Sequence, residues 1–211
     1  LPQPDLHAHL AEIRRLTRAY QEGRSPASFT AFRDLVQLLF STTIIPEHVA
    51  VRLAKGSRPD VYVLGGYRGP TDALVLNNGH FLRLTMTLVL TDTADGPRIK
   101  VDSSSVQYQL DAQGDHAVFR YDYLREPPDV YPSAHLHVRG TLTEPCLSAK
   151  QTLEDLHFPT NRVSLESIIR LLIEQFNIQS QTDAALWRPL LTESEAAFHT
   201  IAHRPQSGPR Q

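Results

Sequence analysis

Two histidines, His135 and His137, alternate with Leu136 and Val138 in the segment AHLHV, and Arg139 follows. On a strand, alternate side chains point to opposite faces, so if Leu136 and Val138 enter a core, His135, His137 and Arg139 share the other face. The preceding segment FRYDYL, residues 119–124, can set either Arg120 and Asp122 or Phe119, Tyr121 and Tyr123 beside them. Aromatic rings are better buried, which leaves Arg120 and Asp122 near the histidines. A neutral imidazole can accept a proton and an imidazolium can return it near neutral pH. A guanidinium can stabilise charge building on a phosphoryl or acyl group. The set therefore holds the parts of a metal-free acid–base centre, with His135 and His137 as acid and base, Arg120 and Arg139 on phosphate, and Asp122 orienting a histidine. On that reading no cofactor is needed.

The same pair supports a metal site. Two histidines two apart on a strand can ligate one ion, with His157 or Glu144 supplying a third donor. A cupin motif opens with a similar pair, but its second half, with glycines and a downstream histidine, is absent. A solvated sheet face whose histidines do nothing is the plainer alternative. Elsewhere, GGYRGP at 65–70 lacks the lysine and helix of a phosphate-binding loop and reads as a turn. Cys146 has no evident base, and His7 and His9, two apart on a helix, do not share a face. His199 and His203 are placed to meet a helix C-terminus.

The elements that must position these residues follow from periodicity. Leu6, Leu10, Ile13, Leu16 and Tyr20 recur at helical spacing, with Asp5 as cap and Gly23 beyond the end. A second helix opens at Ser28 or Thr30 and carries Phe32, Leu35, Val36, Leu39 and Phe40. Pro46 suits the first position of a short third helix ending near Gly56, which offers only His48, Arg52 and Lys55 to a nucleic-acid groove. From Val61 the period becomes two. Asn77-Asn78-Gly79 marks a tight turn, and Leu82, Leu84, Met86, Leu88 and Leu90 make an apolar face opposite Arg83, Thr85, Thr87 and Thr91. Val106, Tyr108 and Leu110 extend the core, with Ser103, Ser105, Gln107 and Gln109 on the polar side. Ser164 is placed to cap a helix bearing Glu166 in its first turn and Leu165, Ile168, Ile169, Leu172 and Phe176 on its apolar stripe. A last helix runs from about Asp183 to His203, with Pro189 near its first turn.

The expected architecture is α+β: an N-terminal helical segment over 1–57, then an antiparallel meander of about five or six strands with C-terminal helices packed on one face over 58–203. Residues 204–211 read as a mobile tail. A 41% hydrophobic and 21% charged composition is that of a folded globular chain, and a net charge of −2 supplies no general attraction to polyanions or anionic membranes. A single cysteine excludes an internal disulfide and fits a reducing compartment. No apolar run is long enough to span a bilayer, and the first residues lack a secretion signal, so a cytoplasmic location without membrane contact is expected.

The order FRYDYLREPPDVYPSAHLHVRG and then LHFPTNRVSLESIIRLLIEQF resembles a group of uncharacterised actinobacterial proteins and, more distantly, the TumE-type toxins of toxin–antitoxin pairs. The likeness covers roughly residues 105–178, with Arg120, Tyr121, Asp122, His135 and His137 at matching positions. It implies a growth-inhibiting protein acting on RNA and restrained by a cognate antitoxin. The chain departs from that pattern in being about twice as long and in reading AHLH where the toxins carry adjacent histidines. Two rival classes stand beside this one: a non-catalytic protein-interaction module, and a metal-dependent enzyme using His135, His137 and His157. Homodimerisation through an open sheet edge is the default expectation for assembly.

Overall fold

The computed structural model describes residues 5–22, 27–66, 72–92, 96–128, 132–139 and 158–202. Two helices open the chain, α1 (Leu6–Glu22) and α2 (Ala27–Thr43). Eight strands follow: β1 (Arg52–Lys55), β2 (Val61–Gly65), β3 (Ala73–Val75), β4 (Phe81–Thr91), β5 (Arg98–Gln109), β6 (Ala117–Leu124), β7 (Ala134–Val138) and β8 (Phe158–Pro159). Helices α3 (Leu165–Gln175) and α4 (Ala184–Ala202) come last. The strands form one antiparallel sheet in the order β1-β2-β4-β5-β6-β7-β8, with β3 paired to β4. The α+β class and antiparallel meander read from the sequence are the observed ones. The strand number exceeds the expected five or six because short strands join both edges.

Alternation builds the sheet as the pattern predicts. Leu82, Leu84, Met86 and Leu88 of β4 are buried, and the intervening residues are half-buried. Leu82 stands opposite Tyr108 and Leu84 opposite Val106, and those in turn oppose Phe119 and Tyr121. The helices cover this face. Phe176 at the end of α3 meets Tyr108 and Phe119 at ring separations of 5.0 and 5.4 Å, and Phe29 of α2 stacks on Tyr62 of β2 at 4.3 Å. Ile13 and Leu16 of α1 and Leu190 and Leu191 of α4 belong to the same buried cluster. Residues such as Leu84 and Leu88, fully sealed from solvent, each contribute on the order of 2 kcal/mol by leaving water.

The caps and turns follow their chemistry. Asp5 accepts from the His7 amide at 2.9 Å, and Ser164 accepts from the Ser167 amide at 3.0 Å, so both helices start where a capping side chain was expected. Gly79 has φ 84° in the Asn77–Gly79 turn, where a side chain would be strained. Asp111 holds the next hairpin, accepting from the amides of Gly114, Asp115 and His116. Burial opposes ionisation of this carboxyl, but the three amides outweigh it and bring it down to about 2.

Four expectations are corrected. Leu110, expected to extend the core beyond Tyr108, is 48% exposed just past the end of β5, where the register with β6 shifts between Tyr108 and Gln109. The helix expected over 46–56 is absent: after one turn at Pro46, Arg52–Lys55 pairs with Lys55 opposite Tyr62 and Arg52 opposite Gly65. The side chain of Gln37 holds the approach extended, donating to the Val49 carbonyl at 3.1 Å and accepting from the Val51 amide at 2.7 Å. Buried Val49 and Val51 gain more from a place in the core than so short a helix could return. Helix α2 begins at Ala27, ahead of the Ser28 or Thr30 start read from capping preference, and Ser28 is buried within it. Pro189 lies inside α4, in its second turn. Cys146, Glu144, His157, His203, the 204–211 tail and most of the 65–70 turn fall outside the described residues.

Candidate functional site

The site is built where two ranks of side chains cross the sheet. One rank runs Arg83, Gln107, Arg120, His137, and the next runs Thr85, Ser105, Asp122, His135, each from β4 through β5 and β6 to β7. Directly opposed residues of antiparallel strands lie about 5 Å apart, so the register alone brings Arg120, Asp122 and both histidines together on the polar face. Strand β8 flanks β7 on the far side, with His135 opposite Pro159, so the histidine strand is internal to the sheet.

The imidazoles converge. Their ring centroids are 4.9 Å apart and the rings are nearly perpendicular, at 74°. His137 Nε2 lies 3.4 Å and His135 Nε2 3.8 Å from Asp122 Oδ2. One ligand atom from each of the three side chains falls within 4.8 Å of the others, the only such grouping of three histidine, cysteine or acidic residues among those described. Both histidines are buried, at 5% and 8% exposure, although they stand on the face opposite the hydrophobic core.

Among the described residues, two hydrogen bonds bear directly on the arrangement. His135 Nδ1 is 3.0 Å from the Pro132 carbonyl oxygen. A carbonyl only accepts, so Nδ1 carries the proton, and in the neutral ring Nε2 presents its lone pair. Arg120 Nε donates to Asp122 Oδ2 at 2.8 Å, holding the carboxylate against the histidines. A histidine whose second nitrogen is bonded to a carbonyl and a carboxylate held by a neighbouring donor form the outer support typical of metal ligands.

The two histidine–carboxylate spacings are longer than a good hydrogen bond and close to those of ligands that share an ion. Good N–H···O bonds run to about 3.2 Å, shorter than either histidine–carboxylate contact. Donors about 2.0–2.1 Å from one ion stand about 3.0 Å apart at a right angle and about 3.4 Å apart at the tetrahedral angle. The observed 3.4 and 3.8 Å match the latter to within a few tenths of an ångström.

The remaining candidates are placed differently. Alternation sets Arg139 on the same face, but its guanidinium donates to the Asp115 carbonyl at the hairpin before β6 and its amide to Val118. Arg83 likewise donates to the Gln113 carbonyl at 2.8 Å. Sequence reasoning gave Asp122 an orienting role and looked downstream for a third ligand. Register shows the carboxylate already facing both Nε2 atoms, and the signal for it was the alternation of FRYDYL once its aromatics are assigned to the core. No protein-family model, no curated protein and no solved structure matches the chain. The likeness to TumE-type toxins therefore rests on the residues quoted for it. Among the described residues no helix is long and apolar enough to cross a membrane.

Proposed function

We propose that Asp122, His135 and His137 form a divalent metal centre and that the protein is a metal-dependent enzyme. The observation that carries this is the convergence of one atom each from His135, His137 and Asp122 within 4.8 Å, with both Nε2 atoms near ligand spacing from Asp122 Oδ2 and His135 held in the matching tautomer by Pro132. Two imidazoles and a carboxylate suit zinc, iron(II) or manganese(II), and three protein ligands leave a position for water or substrate, as catalytic sites do. A bound ion of this kind lowers the pKa of its water toward neutrality and polarises a carbonyl or phosphoryl oxygen. The chain's own part is to hold the three donors, to orient Asp122 through Arg120 and to shield the imidazoles from bulk water.

Protein purified without chelator is expected to carry close to one first-row metal per chain by elemental analysis, and the His135→Ala/His137→Ala variant almost none. Equal metal content in both would refute the assignment.

A second reading keeps the same residues without an ion. Asp122 is held by Arg120 on one side and faces His137 on the other, which would then serve as acid or base. This is the form a toxin-like ribonuclease held by an antitoxin would take. It predicts growth arrest on expression that is lost with His137→Ala and that survives stripping of metal from the purified protein in an RNA cleavage assay.

A further inference from the structure

We infer that Arg120 is the anchor for an oxyanion on the substrate, a phosphoryl or carboxylate group, bound beside the histidine pair. Among the described residues three arginines stand on the polar face around the histidines, and of these only Arg120 is positioned for this. Arg83 is tied to the carbonyls of Ala112 and Gln113, and Arg139 to that of Asp115. Arg120 spends only Nε, on Asp122, and among the described residues its two terminal nitrogens make no hydrogen bond. Its side chain is 41% exposed, against 6% and 10% for His135 and His137, so the guanidinium forms the accessible rim of a shielded centre. The salt bridge through Nε holds the guanidinium plane in place. Its outer edge therefore presents paired N–H donors in the planar fork that matches carboxylate and phosphate.

Charge points the same way. Arg120 cancels Asp122, the sole acidic side chain in the two ranks that cross the site. A divalent ion on Asp122, His135 and His137 would then leave two uncompensated positive charges a few ångströms from the fork, a combination that favours an anion over a neutral substrate. This second argument rests on the metal-centre reading; the first does not.

The test is calorimetric titration of inorganic phosphate, and separately of acetate, into metal-free and zinc-loaded full-length protein with no excess zinc. It compares the parent with Arg120→Lys, Arg120→Gln and, as a control remote from the site, Arg58→Gln. Loss of a charge-assisted forked contact corresponds to roughly a tenfold to hundredfold weakening. The expected result is binding of at least one anion by the parent and Arg58→Gln, weakened by that factor in Arg120→Lys and abolished in Arg120→Gln, all three variants keeping the parent circular dichroism. Anion affinity that ignores both Arg120 substitutions, or no anion binding by the parent, overturns the inference. Zinc uptake with Arg120-independent anion binding would leave the metal centre standing and remove this inference. Arg120-dependent binding in a protein that takes up no zinc would do the reverse.

Discussion

Asp122→Asn removes one ligand charge while leaving volume and backbone unchanged, so its effect on metal-dependent stability can be worked in advance. Structural zinc sites with four ligands are worth about 10–16 kcal/mol, or roughly 2.5–4 kcal/mol per ligand. Loss of one ligand then weakens binding on the order of 60-fold to 900-fold. At free zinc of about 100 times the parent dissociation constant, binding stabilises the parent by roughly 2.7 kcal/mol, and at the same zinc a variant bound 60-fold more weakly gains about 0.6 kcal/mol at most. For a chain of this length each kcal/mol moves the midpoint by about 2–4 °C, so the parent should rise by roughly 5–11 °C and the variant by no more than about 2 °C. Arg120 loses its partner in the variant, but that pair is partly exposed, with 41% of the guanidinium side chain accessible, so its own contribution is small. The assay is differential scanning fluorimetry with zinc and with EDTA. A parent unmoved by zinc, or a variant that shifts as far as the parent, would refute the reasoning.

Other outcomes follow from the helices and turns. Burial raises the Glu166 carboxyl above its usual range, opposed in part by the Ser194 hydroxyl that bonds it at 2.5 Å. The folded state thus holds this proton more tightly than the unfolded chain, and its contribution to stability falls as pH rises from the ordinary carboxyl range through the raised value. Glu166→Gln should therefore gain stability over the parent at pH 8 and lose that advantage near pH 4, as read by urea denaturation. Asp111 behaves oppositely: with its carboxyl lowered to about 2, its stabilising contribution is complete above about 4 and is lost as pH falls toward 2. Asp111→Ala should accordingly narrow its stability deficit in that acid window. Ser164→Ala should cost about 1 kcal/mol in denaturant unfolding from the lost cap of α3, and more if Glu195, which Ser164 also bonds, is left short of a donor.

The sheet was legible because hydrophobic alternation in β4 to β7 is nearly unbroken, and the grouping of Arg120, Asp122, His135 and His137 follows from it once Phe119 and Tyr121 are assigned to the core. What alternation cannot report is cover. It says that the histidines turn away from the core, and a polar face is ordinarily wet, yet these two imidazoles are sealed. Nor does it report register, which sets Asp122 opposite His135 and Arg120 opposite His137 and so brings the carboxylate within reach of both imidazoles. Strand β1 was missed for a different reason. Pro46 is a good helix start locally, but Gln37, far away on α2, holds Val49 and Val51 extended, and a window of adjacent residues carries no trace of that bond. Strand β8 is two residues long and is defined by its pairing to β7 alone.

X-ray absorption at the zinc edge, with anomalous diffraction to place the ion, tests the central claim most directly. The account predicts one ion within about 2.0–2.2 Å of His135 Nε2, His137 Nε2 and an Asp122 oxygen, with at least one further oxygen from solvent. An ion bound elsewhere on the chain, or none at saturating zinc, would contradict it.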